Sequence, residues 1–257
     1  MASSSLLALL AQMSAPRRAA LFAQDPKRAA EWVYVVALEG VPQAQVCYGR
    51  MLLEGTGVLK NPSQALNWFK RAALQGDIDG INMTGRCLDN GWGIGEDPAA
   101  AAVLFQRAAD AGHAWAQYNL AHLYLNGRGV ARDWPRAHAY YLKAAAQGHE
   151  RAMNLLGRCC EEGWGRPRDA CAAADWYRRS AEGGYFRGQY NWAGILVSDG
   201  RFEEAALWLA RAAAGGTAAV RLAVVALASR AHMPPVLKDL AMRLQGEPGP
   251  SRTCPCW

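Results

Sequence analysis

One short pattern returns along this chain at a fixed interval. It reads Trp32–Gly40 (WVYVVALEG), Trp68–Gly76 (WFKRAALQG), Leu104–Gly112 (LFQRAADAG), Tyr140–Gly148 (YYLKAAAQG) and Trp176–Gly184 (WYRRSAEGG). The closing glycines Gly40, Gly76, Gly112, Gly148 and Gly184 are each 36 residues apart. A further copy, Trp208–Gly216, follows after 32 residues, so its internal loop is four residues shorter. A period of this length marks an array of identical supersecondary units. One such unit cannot bury its apolar face alone, so neighbours must stack.

Other columns keep the same register and predict two helices per unit. Asp25, Asn61, Asp97, Asp133 and Asp169 recur, with Pro26, Pro62 and Pro98 after three of them and Pro135 one place later. Asp or Asn caps free N–H groups and proline fits a first turn, so a second helix starts there. It ends at the closing glycine, where a left-handed residue suits the chain. Gly55, Gly91, Gly127 and Gly163 end the first helix of each unit. Small residues form two columns in the first helices: Ala44, Gly80, Ala116, Ala152 and Gly188, then Gly49, Gly85, Ala121, Gly157 and Ala193. Ala65, Ala101, Ala137, Ala173 and Ala205 do the same in the second helices, and these columns let helices approach closely. The aromatic column Trp68, Tyr140, Trp176 and Trp208 is expected in the core. With 50 alanines, 5 phenylalanines and an apolar share of 51%, the composition favours helices over a sandwich or barrel.

The same residues exclude several function classes. The Gly-x-Gly loops resemble phosphate cradles, but none follows a strand and no Gly-Lys-Ser/Thr occurs. HExxH, GxSxG and CxxC are absent. Seven irregularly spaced cysteines do not form a paired disulfide framework, which fits reduced thiols in a cytoplasm. Cys254 and Cys256 alone cannot complete a zinc site. His113 and His149 follow closing glycines at one repeat position, which predicts a structural role at the start of the next helix. No catalytic residue, cofactor or metal is expected. No run of 18 apolar residues predicts a membrane span, and Leu6–Leu10 lacks the flanks of a secretory signal and is read as a helix. The net charge of +6 is spread along the chain rather than gathered on one face, which argues against nucleic acid as a partner.

Taken together, period, glycines, cap and aromatic pair resemble the Sel1-like repeat, a relative of the tetratricopeptide repeat. The fullest copy is Ala116–Gly148, AQYNLAHLYLNGRGVARDWPRAHAYYLKAAAQG. The resemblance implies an all-α, right-handed α/α solenoid of helix pairs with period 36, whose first helices line a concave face. It covers residues 24–231; a capping helix and loop are expected over 1–23, a C-terminal capping helix beginning at Pro234 and Pro235 over 232–246, and, from its Pro/Gly-rich composition, a disordered tail over 247–257. It also implies a non-enzymatic scaffold or adaptor for another protein, in a bacterial setting. Some cysteine-rich secreted relatives carry a disulfide in each repeat and are associated with penicillin or peptidoglycan-like ligands; the regular cysteine pair is missing here.

By analogy with tetratricopeptide repeats, four first-helix columns face inward. They are Gln43, Asp79, Trp115, Arg151 and Arg187; Val46, Asn82, Tyr118, Asn154 and Tyr190; Arg50, Arg86, His122 and Arg158, ending at Gly194; and Leu53, Asp89, Leu125, Glu161 and Val197. Asparagine can read a peptide backbone, arginine can fork a carboxylate, and tyrosine adds contact area at low entropic cost. The expected groove residues are Arg50, Asn82, Arg86, Trp115, Tyr118, His122, Arg151, Asn154, Arg158, Arg187 and Tyr190. They suit an extended partner segment with acidic side chains or a C-terminal carboxylate. The alternatives are an envelope or secreted ligand-binding protein, periplasmic or secreted rather than cytoplasmic, and an RNA- or anion-binding solenoid.

Overall fold

The computed structural model describes residue 20 and residues 23–246. The expected helix over Leu6–Leu10, nearly all of the N-terminal cap, the tail at 247–257 and the pair Cys254 and Cys256 lie outside these. The described residues form thirteen α-helices and no strand. They divide into two compact units, one up to Arg132 and one from Asp133.

The first unit contains α1 (Pro26–Leu38), α2 (Pro42–Glu54), α3 (Pro62–Leu74), α4 (Ile78–Asn90), α5 (Pro98–Asp110) and α6 (Ala114–Asn126). The second contains α7 (Trp134–Ala146), α8 (Glu150–Glu162), α9 (Ala170–Glu182), α10 (Phe186–Ser198), α11 (Phe202–Gly215), α12 (Ala218–Ala228) and α13 (Pro235–Gly246). Within each unit every helix packs on the next in sequence, and α2 meets α4 as α8 meets α10. That is an all-α repeat fold, with even-numbered helices as the first of each pair.

The caps follow the sequence columns. Carboxylate or amide oxygens of Asp25, Asn61, Asp97, Asp133 and Asp169 accept the N–H three residues on, starting α1, α3, α5, α7 and α9. The N–H of Asn61, Asp97 and Asp169 also donates back to Leu52, Leu88 and Cys160 near the end of the preceding first helix. These three caps therefore fix both a helix start and a loop. The shortened copy has only Asp199, Gly200 and Arg201 between α10 and α11, and Arg201 supplies no side-chain cap.

The Gly-x-Gly loops turn out to be packing devices. Gly93 has φ +76°, and a Cβ there would lie 2.5 Å from the Pro62 backbone at the start of α3. Gly165 repeats this against Trp134, at φ +76° and 2.5 Å. The loop backbone thus presses on the start of the preceding second helix, where an L side chain has neither the dihedral nor the space.

Small residues in the first helices receive large ones from the second. A Cβ on Gly85 would stand 2.8 Å from the Phe105 ring, and one on Gly157 2.6 Å from Tyr177. Phe69, Phe105 and Tyr141 are fully buried and Tyr177 nearly so. The core aromatics therefore stand one residue after the expected column. Trp68 is buried, but Tyr140, Trp176 and Trp208 are only half-buried. Their outer faces carry the cation three residues on: Arg71 lies 4.6 Å from the Trp68 centroid, Lys143 5.0 Å from Tyr140, Arg179 4.2 Å from Trp176 and Arg211 4.7 Å from Trp208. Spacing of three puts ring and cation on one helix face, where they attract.

Candidate interaction face on the first helices

Of the first helices, α4 starts on Asp77 as the second helices do on their Asp or Asn, whereas two others start on histidine. His113 and His149 cap α6 and α8, their Nδ1 atoms accepting from the N–H of Ala116 (3.1 Å) and Ala152 (3.2 Å). This is the structural role expected of both. An accepting Nδ1 has a free lone pair, so the proton of neutral His113 sits on Nε2. That nitrogen lies 3.2 Å from Asp79 Oδ1 and donates to it. The Asp79 carboxyl is held below its ordinary range, chiefly by the His113 bond, with Arg50 adding to the effect at 3.5 Å.

The two candidate asparagines need correcting as exposed groove residues. Asn82 and Asn154 are 3% and 4% exposed. Asn119 Nδ2 donates to Asn82 Oδ1 at 3.1 Å, and Asn191 Nδ2 to Asn154 Oδ1 at 2.8 Å. A buried amide oxygen needs such a partner, and here the bond ties one first helix to the next. Asn119 and Asn191 were missed by the groove columns, since they stand one place beyond Tyr118 and Tyr190. The 37-residue offset, found twice, was their available signal.

Gln45, Gln117 and Gln189 form a further buried set. They donate to the carbonyls of Ala37, Ala109 and Ala181 near the ends of α1, α5 and α9. These residues stand 72 apart, as do Asn82 and Asn154, Arg86 and Arg158, and Tyr118 and Tyr190. The array therefore has a two-repeat rhythm laid over the single one.

The remaining candidates stand at or near the surface. In the first unit, Arg50 and Arg86 are half-buried, and Trp115 and His122 are exposed. Arg86 lies 5.1 Å from the Trp92 centroid. Trp115 meets Tyr118 edge-on at 6.1 Å, and Tyr118 stacks on His122 at 6.2 Å, so α6 carries a continuous aromatic run. Arg128, beside His122, pairs with Asp89 (3.5 Å) and Glu96 (2.9 Å).

In the second unit, Arg151, Arg158 and Arg187 are exposed and Tyr190 is half-buried. Arg158 lies 5.1 Å from the Trp164 centroid, and Arg151 lies 5.6 Å from that of Tyr185. Glu161 accepts from the Tyr177 hydroxyl at 2.7 Å. Burial and that donation push the Tyr177 hydroxyl's pKa upward.

Burial raises the Cys87 thiol to about 11 and the Cys159 thiol to about 12, far from a reactive thiolate. Among the described residues no group of three or more His, Cys, Asp or Glu could hold a metal ion. A depression on α3 lined by Gln64, Asn67, Trp68 and Arg71 encloses about 150 Å³, below the ~300 Å³ at which small-molecule sites begin. No helix among these residues is long and apolar enough to cross a membrane.

Comparison with known proteins agrees with this architecture. No curated protein resembles the chain closely enough in sequence to count as a relative. A protective antigen of uropathogenic Escherichia coli strains, with an SLR fold, is 26% identical at a TM-score of 0.64. The match covers 87% of this chain and 50% of the antigen, so the chain spans half that protein's length. A Sel1 repeat protein from Oxalobacter formigenes shares the fold at 23% identity and a TM-score of 0.75, over 90% of this chain and 97% of that one. An immunity protein from Pseudomonas aeruginosa does so at 17% identity and a TM-score of 0.57, over 80% and 79%. The Sel1 repeat model matches residues 42–77, 78–113, 116–149, 150–185 and 186–217. With five matched copies, helix pairs at the same period and solved Sel1 structures of the same fold, the chain belongs to the Sel1 repeat family.

Proposed function

We propose that the protein is a non-enzymatic interaction scaffold that holds a segment of another protein against its first helices. Sel1 repeat proteins are generally interaction scaffolds. The observation that carries the reading is a set of side chains that helix stacking does not bury. Trp115 and His122 on α6, Arg151 and Arg158 on α8 and Arg187 on α10 are all exposed. Tryptophan, tyrosine and arginine are the residue types that dominate binding energy at protein interfaces. The bound segment is extended and complements the arginines with carboxylates. A cytoplasmic setting suits the unpaired cysteines at positions 47, 87, 159, 160 and 171.

The test is affinity capture from the native lysate with the wild type and an Arg50→Ala/Arg86→Ala/Arg158→Ala variant. The reading expects a protein bound by the wild type and lost by the variant, with helicity and melting retained. Capture of nucleic acid or a small molecule alone would overturn it.

A further inference from the structure

One position sets the face by which a first helix meets the next. Asn82 stands five residues after the cap Asp77 and Asn154 five after the cap His149, and each bonds the following first helix through Asn119 or Asn191. On α12, which packs on α10, the same count from the cap Thr217 falls on Leu222. Asn82 and Asn154 are buried, whereas Leu222 is 70% exposed. Among the described residues no first helix follows α12 to cover it.

The surroundings of Leu222 are apolar as well. Arg221 is the one charged residue of α12, and the rest of the helix is alanine, valine and leucine. The second helix beside it leaves Leu222 bare, because α13 packs on α11 and α12 through Leu237, Leu240, Ala241 and Leu244. Met242, on the side of α13 turned away from those four, is 62% exposed. Repeat arrays keep a polar outer surface at an end, since a stacking face without its neighbour is an apolar patch in water.

The chain leaves α13 beside this face. Arg221 Nε donates to the Leu244 carbonyl at 3.2 Å, which ties the last turn of α13 to the residue next to Leu222. Residues 247–257, Glu-Pro-Gly-Pro-Ser-Arg-Thr-Cys-Pro-Cys-Trp, follow from there and lie outside the described residues. From this placement we infer that residues 247–257 turn back over α12 and seat Pro248 and Pro250 on Leu222, so that the chain covers its own apolar face.

Area, reach and charge favour this occupant. The face of α12 is about 17 Å long, and at a helix spacing of about 10 Å it offers roughly 170 Å². Adding α13 gives roughly 350 Å², less than half of the ~800 Å² that each partner buries in a standard interface, so a second copy would hold weakly. A tethered segment needs far less, because attachment raises its local concentration to about the millimolar range. Eleven residues reach up to about 36 Å, twice the length of the face. Alternate residues of an extended chain share a side, which brings Pro248 and Pro250 to Leu222 together. Glu247 and Arg252 offset one another, as suits an uncharged face. The inference stands apart from the scaffold reading, which concerns the first helices of earlier pairs.

Two measurements on the full-length chain test it. A photoreactive residue at Leu222 should yield a product of monomer mass whose crosslinked peptide comes from residues 247–257. The same residue at Leu207 on α11, also exposed, should not. Trypsin cleavage after Arg252, followed by mass spectrometry as loss of residues 253–257, should run about three- to tenfold faster in Leu222→Asp than in the wild type, because cleavage tracks the undocked population. Leu207→Asp should leave that rate unchanged. Leu222 lies outside the packed core, so its aspartate variant should keep its melting temperature. The inference is overturned if the Leu222 product joins two chains, if it carries no peptide from 247–257, if Leu207 gives the same product, or if Leu222→Asp leaves the cleavage rate as it was.

Discussion

Replacing Asn82 with alanine separates a structural amide from a binding one. The substitution leaves the half-buried Asn119 Nδ2 without its acceptor, at a cost of about 1–3 kcal/mol. Urea unfolding should show that loss, and Asn82→Ala/Asn119→Ala should cost less than the two single changes added together. An asparagine that served only a ligand would leave the unfolding midpoint unmoved. Gly157→Ala tests the notch beneath Tyr177: a methyl 2.6 Å from the ring overpacks the contact and should destabilise by about 1–3 kcal/mol. Such residues show how far a single sequence can be read. Asn82 and Asn154 were visible as a column, but their burial was not, since it depends on Asn119 and Asn191 reaching back from the next first helix. The core aromatics were displaced by one position for a similar reason. In the pair Trp176-Tyr177, the sequence shows two adjacent aromatics and only the depth of Gly157 decides which one enters.

At the scale of the helix, the capping rules were the most legible part of the chain. Asp97 and its equivalents start the second helices, and His113 and His149 start two first helices, all at positions fixed by the period. His113→Ala should therefore cost about 1 kcal/mol through loss of the α6 cap, whereas His113→Asn should recover most of it. Thermal melts at neutral pH distinguish the two. His138 on α7 offers a test by pH. Burial, reinforced by Arg166, lowers its pKa below the ordinary 6.5, and its Nε2 is buried without a hydrogen-bond partner. The unfolded chain therefore takes up the proton first as pH falls. The stability linked to the neutral ring is complete above about 6.5 and is lost as the pH drops through the lower folded value. Stability measured from pH 7.5 downward should decline through this window, and His138→Gln should flatten that part of the slope.

For the whole chain, the 36-residue period prescribed the architecture because each unit must borrow its core from a neighbour. The 72-residue rhythm was less evident, although Gln45, Gln117 and Gln189 carry it openly. Its meaning rests on bonds to the carbonyls of Ala37, Ala109 and Ala181. The pairing of the first-helix arginines was hidden further, because Arg50 in a column does not reveal that Asp79 lies beside it. Site-specific photocrosslinking in cells tests the scaffold account most directly. A photoreactive residue at Trp115 or Arg187 samples the first helices, and one at exposed Leu74 or Leu207 samples the second. The account predicts that one partner protein is captured from Trp115 or Arg187 and not from Leu74 or Leu207. Capture from the second-helix positions alone, or no protein captured from any position, would contradict it.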